Sequence, residues 1–334
     1  VCVPDAQKRA ASLPKRLAEN SCSSLTVGSS PNTSSPTGAV VIAISISLFG
    51  FVTVSLLRSI IIYFFCLLLL KILFMEELLM WILICVVSFS ASILTFFSGF
   101  GLGTMLLPVF SLFMPIELAV LATAIVHISN NALKFILIRK FIDKGVLLAF
   151  GVTAVIGAFI GAVTQKYIGG GGSFYELQFL DATYSVELLS FVVGALMIVF
   201  AILDLIPLLK KVSFGRGQFT IGGFLSGFFG GLSGHQGALR AAFLSKSNLK
   251  AEVFISTSVC LSLLIDAVRI PIYFTSDSGD LSNNWLTISL ACIFAFLGSF
   301  LGKRLFTKKK IQNVRSLVAV FLFVMGAGMI LGIV

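Results

Sequence analysis

The chain has few charged residues and few side chains of the kinds that bind metals. Only 11% of its 334 residues are charged, and it contains two histidines and six cysteines. Soluble domains are about one quarter charged, so this composition excludes an ordinary soluble protein. The histidines lie on different segments without an HExxH motif, and the cysteines show no CxxC spacing. We therefore expect no metal site, and we interpret the cysteines as packing residues.

Motifs of catalysis and nucleotide binding are also missing. There is no GxxxxGK[ST] motif, so the sequence does not support ATP-driven transport by this chain. Ser233 stands in Gly231-Leu232-Ser233-Gly234, which is not a nucleophile elbow. Gly101-Leu102-Gly103 lacks the third glycine of a dinucleotide-binding loop. We expect a protein that is not an enzyme and has no cofactor.

What the chain does contain is long apolar segments, because 57% of its residues are hydrophobic. Most of these segments approach the roughly 20 residues that cross a bilayer as a helix, so we expect a multi-pass protein of the cell membrane, embedded in the lipid bilayer. The segments are 78–97, 103–113, 116–138, 145–167, 186–206, 217–245, 250–274, 285–306 and 311–333.

The positive charges of the chain gather in short loops between these segments. A net charge of +10 can indicate a nucleic-acid partner, but basic loops at 139–144, 210–216 and 303–315 fit the positive-inside rule better. We predict that these three loops are cytoplasmic and that loops 168–185 and 275–284 face outward. No nucleic-acid partner is expected.

Four regions follow one another along the chain. Residues 1–38 are rich in Ser, Pro, Thr and Asn and form a predicted disordered basic tail. Residues 39–74 form an extra apolar segment of one or two spans, and residues 75–208 and 209–334 form two transporter repeats. Because Met75 would be a natural start, the sequence leaves open whether residues 1–74 belong to the native protein.

Each repeat contains a glycine-rich interruption of its apolar sequence, at 98–103 and at 226–234. Irregular backbone at membrane depth is tolerated only inside protein or beside a water-filled cavity. The loop charges make segments 116–138 and 250–274 run in opposite directions. The predicted fold is therefore an all-α polytopic membrane protein with two inverted repeats. Each has a glycine-broken, re-entrant first element followed by three transmembrane helices, and rocking of the repeats would give alternating access.

The second break offers the richest set of groups for binding an anion near the bilayer midplane. Free backbone amides of half-helices and nearby donor side chains would both serve this purpose. The alternatives are that the glycines permit close helix crossing, that Arg240 is a topology charge and that His235 is a satisfied buried histidine. The candidate anion ligands are Ser233, His235, Gln236, Arg240, Ser98 and Thr104, and the glycines that shape the backbone are Gly99, Gly101, Gly103, Gly230, Gly231, Gly234 and Gly237.

Two matched segments carry further polar residues that would be costly in lipid. In the first, i, i+3, i+4, i+7 spacing places the residues on one helix face. They could line an anion path, or they could join helices by hydrogen bonds while the lysine extends to the surface. In the second, the acid and the arginine could form a structural ion pair or contact substrate. These residues are His127, Asn130, Asn131 and Lys134, followed by Asp266 and Arg269.

The motifs Ser98-Gly99-Phe100-Gly101-Leu102-Gly103 and Gly223 to Gly237 resemble the TauE/SafE sulfite exporter family, also called the 4-toluene sulfonate uptake permease family. The resemblance covers residues 78–333 and implies secondary transport of sulfite, a sulfonate or a related anion across the bacterial inner membrane. A coupling proton, on His127 or Asp266, or a sodium ion would drive it. The alternatives are an anion channel, a transporter of a non-sulfur carboxylate, a membrane enzyme and a subunit that does not transport. The sequence leaves the substrate, the direction of transport and the oligomeric state open.

Overall fold

A computed structural model describes residues 77–95, 101–179, 182–205, 216–244, 249–275, 281–304 and 311–333. The predicted tail at 1–38 and the extra apolar segment at 39–74 lie outside the described residues. So do two predicted site residues of the first break, Ser98 and Gly99.

The described part of the chain is almost entirely helical. Five helices are long and apolar enough to cross a membrane: α1, α3, α4, α8 and α9. The predicted class, an all-α polytopic membrane protein, is confirmed. The helices are α1 (Glu77–Thr95), α2 (Leu102–Ser111), α3 (Ile116–Ile138), α4 (Lys144–Gly169), α5 (Leu188–Leu205), α6 (Phe219–Ser233), α7 (Gly237–Leu244), α8 (Ala251–Phe274), α9 (Leu281–Arg304) and α10 (Ile311–Ile330).

The order of the helices repeats once along the chain. In each half, two helices separated by a glycine break precede three further helices: α1 and α2 precede α3 to α5, and α6 and α7 precede α8 to α10. Helix α3 packs against α8 and α9, whereas α8 packs against α3 and α4. The inverted orientation of the two halves stays a prediction.

A β-hairpin occupies the loop that the sequence predicted at 168–185. Strand β1 (Ser173–Phe179) pairs antiparallel with β2 (Ala182–Glu187). The Tyr175 hydroxyl donates a hydrogen bond to the carbonyl oxygen of Ile330 in the last turn of α10. Aromatic and β-branched residues in this segment favour paired strands. The hydrogen bond of Tyr175 attaches the hairpin to the end of the last helix.

Glycines permit the closest helix contacts of the structure. A face of small residues on α4 lies directly on α6, where a Cβ added at Gly161 would overlap the Phe228 carbonyl and one added at Gly227 would overlap Ala154. Helices α5 and α10 meet in the same way, through Gly194 and the glycine at 326. Contacts of this kind let backbones approach where lipid provides no hydrophobic driving force.

Candidate functional site

The second glycine break is short and lies at the end of α6. Helix α6 ends at Ser233, Gly234 adopts φ +82°, and α7 begins at Gly237. A residue with a side chain is strained at such a positive φ, so glycine is favoured here. The predicted interruption at 226–234 is therefore helical except for Gly234, and the break itself runs from Gly234 to Gln236.

Gly230 and Gly231 lie inside α6 and serve packing. A Cβ at Gly230 would lie 2.8 Å from Cβ of Gln236, which folds back over the helix from the break. A Cβ at Gly231 would overlap the carbonyl oxygen of Ala158 in α4. These two glycines therefore allow Gln236 and helix α4 to pack directly against the backbone of α6.

The first break meets the second one. Gly101 precedes α2 with φ +115°, and Thr104 Oγ1 donates to its carbonyl oxygen at 2.8 Å. The hydroxyl proton of the predicted anion ligand Thr104 is therefore already used in a hydrogen bond at the start of α2. The Cβ position of Gly103 is 3.5 Å from the carbonyl oxygen of Gly234 and 3.8 Å from Cδ2 of His127. The N-terminus of α2 therefore lies against the second break.

Two of the four predicted ligands from the second break join one buried network. Gln236 Nε2 donates to Asp266 Oδ1 at 3.1 Å, and Arg240 Nη1 donates to Gln236 Oε1 at 3.2 Å. Arg240 Nε also donates to Ser258 Oγ in α8 at 2.9 Å. Each of these side chains is at most 1% exposed, so the network is shielded from both water and lipid.

The other two predicted ligands, Ser233 and His235, make their hydrogen bonds apart from this network. Ser233 Oγ donates to the Phe229 carbonyl at 3.2 Å, and His235 Nδ1 lies 3.1 Å from the Ser233 carbonyl, which can only accept. The imidazole stacks on Phe200 of α5 at a centroid distance of 5.6 Å. Its Nε2 is buried and has no hydrogen-bond partner among the described residues. The four predicted ligands therefore do not form a single ring of donors.

Asp266 is the centre of the network. The predicted pair with Arg269 is present, with Nε and Nη2 at 2.9 Å and 2.8 Å from Oδ1. His127 Nδ1, on α3, lies 2.5 Å from Oδ2. This link between α3 and α8 was not predicted, although the sequence had placed both residues on polar faces of matched helices. Asn131 Nδ2 lies 3.2 Å from Nε2 of the same imidazole.

Arg269 also fixes the end of α6. Its Nη1 donates to the Gly230 carbonyl at 3.1 Å, and the hydroxyl of Tyr273 donates to the Gly231 carbonyl. The last carbonyls of a helix have no partner within the helix, and a cation beside them is favourable. Arg269 and Tyr273 therefore hold the break in place from α8.

The remaining residues of the α3 polar face contact α1 and α9. With its amide oxygen towards Ser92, Asn130 donates to Ser299 Oγ at 2.7 Å and accepts from Lys134 Nζ at 3.3 Å. Lys134 is only 3% exposed, so it does not extend to the surface. The α3 face therefore divides: His127 contacts α8 and Asn131 contacts His127, whereas Asn130 contacts α1 and α9 and accepts from Lys134.

Positive charge exceeds negative charge among the buried side chains that the structure describes. Arg240 and Arg269 are buried guanidinium groups, Lys134 is a buried amine, and Asp266 is a buried carboxylate. A positive electrostatic potential in a low-dielectric interior attracts anions. Within the described ranges, no group of three His, Cys, Asp or Glu residues could hold a metal ion.

Sequence reasoning missed two residues of the site, Ser258 and Tyr273. Both extend the polar face of α8 that includes Asp266, at spacings of eight and seven residues. That helical periodicity was the available signal. A cavity of about 220 Å³ lies apart from the breaks, between the hairpin and the ends of α2 and α10, and no predicted site residue lines it.

Comparison with known proteins gives one clear match. The model of the family described as "Sulfite exporter TauE/SafE" matches residues 84–329. The matched range includes both breaks and the complete network around Asp266. No curated protein and no solved structure matches the chain significantly.

Proposed function

The chain belongs to the TauE/SafE sulfite exporter family of membrane transporters, and we propose that it carries its anion through the junction of the two glycine breaks. In this proposal it is a secondary transporter, and the substrate is sulfite or an organosulfonate. The anion binds beside Gln236, Arg240 and Arg269. His235 lies on the other side of the break; because its Nδ1 proton faces the Ser233 carbonyl, it would donate to the anion through Nε2 only as a doubly protonated imidazolium.

The observation that carries the proposal is the burial of two guanidinium groups at this junction. Arg240 and Arg269 are at most 1% exposed; Arg240 contacts Gln236 in the second break, and Arg269 contacts the Gly230 carbonyl in the last turn of α6. A buried charge inside a membrane is costly and usually marks a substrate or ion pathway. A guanidinium also suits a sulfur oxyanion, because it can donate two parallel hydrogen bonds to two oxygens on the same sulfur atom.

Backbone amides supply further donors for the same ligand. Helix α2 begins at Leu102 against the second break, and α7 begins at Gly237 within it. The first amides of a helix have no partner within that helix, and the N-terminal end carries partial positive charge. Half-helix N-termini at midplane are a recurring way to bind anionic substrates in transporters.

The packing also suggests which surfaces separate during transport. The contact of His127 with Asp266 joins α3 of the first half to α8 of the second, directly beside the breaks. Rocking of two inverted halves about the tight α4–α6 contact, which would act as the pivot, would open the His127–Asp266 contact alternately to each side of the membrane. In the orientation that we propose, the basic loops at 139–144, 210–216 and 303–315 are cytoplasmic.

Flux of sulfite and of methanesulfonate into proteoliposomes tests the proposal. We expect Arg240→Gln to reduce flux at least about tenfold, since truncating a buried charged hydrogen-bond partner costs about 2–5 kcal/mol. Arg304→Gln is the matched control, because Arg304 is exposed. Undiminished flux through correctly inserted Arg240→Gln protein would refute the site.

The same vesicles separate the proposal from its alternatives. A transporter accumulates the anion against its own gradient when a proton or sodium gradient is imposed, whereas an anion channel only equilibrates it. A carrier of non-sulfur carboxylates would show strong inhibition of flux by acetate or succinate. An enzyme would release a chemically altered substrate.

A further inference from the structure

Asp266 holds the donors that a bound anion would need. We propose that its carboxylate is a built-in substitute for the anion and that it takes up one proton when the anion binds, so that anion and proton cross the membrane together. This inference rests on the proposed function of the same site. It identifies the coupling ion as a proton and its carrier as Asp266.

Donors from several elements surround the Asp266 carboxylate. Three side chains from three elements converge on this carboxylate: His127 at 2.5 Å from Oδ2, and Gln236 at 3.1 Å and Arg269 at 2.9 Å from Oδ1. Asp266 is fully buried. A set of N–H donors gathered around one negative group would suit a sulfite or sulfonate oxygen equally well.

A bound anion would compete with Asp266 for these donors. His127, Gln236 and Arg269 cannot give the same N–H groups to Asp266 and to a bound anion. An ionised carboxylate left without donors in a low-dielectric interior is very costly, and a second negative charge nearby adds repulsion. Protonation removes both costs, so we expect the anion to bind together with a proton.

Several charged and titratable groups surround Asp266. His127 faces it from α3, Arg240 approaches it from α7 through Gln236, and Arg269 and Tyr273 share its own helix. Helix α6 contains no titratable residue, and the charges of α4, Lys144 and Lys166, stand near its ends. Among these groups Asp266 is the acid that loses its donors to the anion, whereas His127 only changes its acceptor.

Protonation of Asp266 accompanies anion binding and is reversed on release. A proton from solution forms an O–H bond at one carboxylate oxygen of Asp266, while the anion takes the released N–H groups. On the other side of the membrane the anion leaves, the O–H bond ionises, and the carboxylate recovers its donors. The site carries the same charge before and after binding a monoanion, so its cotransport with a proton is electroneutral.

Calorimetric binding of methanesulfonate tests the proposal, because this anion does not itself titrate between about pH 5 and 9. Titrations in buffers of different ionisation enthalpy measure the number of protons taken up. We expect wild-type protein to take up about one proton per anion, and its affinity to fall about tenfold per pH unit where that uptake is complete.

Asp266→Asn keeps the shape of the protonated acid and removes its titration. It should bind methanesulfonate at least as tightly as wild type, with almost no proton uptake and little dependence on pH. Glu252→Gln is the matched control, since Glu252 is an exposed carboxylate on the same helix, and it should behave as wild type. In proteoliposomes, Asp266→Asn should carry anion downhill but lose accumulation driven by a proton gradient.

Several results would overturn the inference. Wild-type binding without proton uptake would do so, and this measurement decides the matter even if the variant does not fold. Folded Asp266→Asn protein that takes up a full proton or binds no anion would also refute it. So would a result in which His127→Asn abolishes proton uptake and Asp266→Asn does not. If wild-type protein neither binds nor transports methanesulfonate or sulfite, the proposed function itself fails, which is a different outcome.

Discussion

The contact between α5 and α10 allows a quantitative test of the helix packing. Gly194 and Gly326 face each other so closely that a Cβ added to either would lie 2.7 Å from the carbonyl oxygen of the other. Ordinary van der Waals contact begins at 3.4 Å, so each alanine requires a separation of about 0.7 Å (3.4 − 2.7). Ile198 Cγ1, at 3.0 Å from the Cβ position of Gly326, limits sideways relief.

Overpacking of this kind costs about 1–3 kcal/mol. We therefore expect Gly194→Ala and Gly326→Ala each to lower the melting temperature by roughly 2–12 °C, taking about 2–4 °C per kcal/mol for a chain of this size. The double variant should lose less than the sum. Once one alanine has separated the helices, the second methyl enters space that is already open, and residues in contact commonly couple by about 0.5–3 kcal/mol.

Thermal unfolding of the purified protein in detergent, followed by size-exclusion chromatography, measures these effects. Gly172→Ala is the control, because a Cβ at Gly172 meets nothing within 4 Å, and it should leave the melting temperature within about 1 °C of wild type. The reciprocal contact would be refuted if the single variants had the same melting temperature as Gly172→Ala. It would also be refuted if the losses of the two single variants simply added in the double variant.

Three further predictions concern individual hydrogen bonds. Asp143→Ala removes the side chain that caps α4 and should cost about 1 kcal/mol of stability, measured by thermal unfolding against Asp143→Asn, which keeps a capping oxygen; equal loss in both would contradict it. Tyr175→Phe removes the donor to the Ile330 carbonyl and should speed amide hydrogen exchange in the hairpin while exchange in α4 stays unchanged; slow exchange in the hairpin would refute the contact. Ser258→Ala releases Arg240 Nε from its partner and should weaken methanesulfonate binding about 5- to 10-fold, as expected for about 1–1.5 kcal/mol, whereas Ser258→Thr should retain binding; equal affinity of both variants would contradict the role of the hydroxyl.

The length of the apolar segments and the charge of the loops made most of the fold predictable. The bounds of α3 were predicted as 116–138 and are found there, because the segment carries a continuous apolar face with polar residues at helical spacing. The hairpin at Ser173–Glu187 was missed because the prediction followed apolar length and loop charge, and neither reports strand pairing. The aromatic residues Phe174 and Tyr175 were the available signal.

The candidate site was harder to predict, because its contacts join residues far apart in sequence. The spacing of Asp266 and Arg269 on one helix predicts their pairing, since residues three apart share a face. No spacing rule gives the contact of His127 with Asp266, which depends on how two helices pack. In the break, His235 and Gln236 are neighbours without helical geometry, so sequence could not show that only Gln236 joins the network.

The glycine contact between α4 and α6 also provides a natural reference for measurements of motion. The backbones touch along Gly157, Gly161, Gly227 and Gly231, so neither helix can slide past the other without a collision of main-chain atoms. Spin labels at exposed positions of this pair, such as 156 and 221, should keep one narrow distance distribution under every condition. Changes in distance between labels on other helices can then be assigned to those helices, because the distance between α4 and α6 serves as a constant reference.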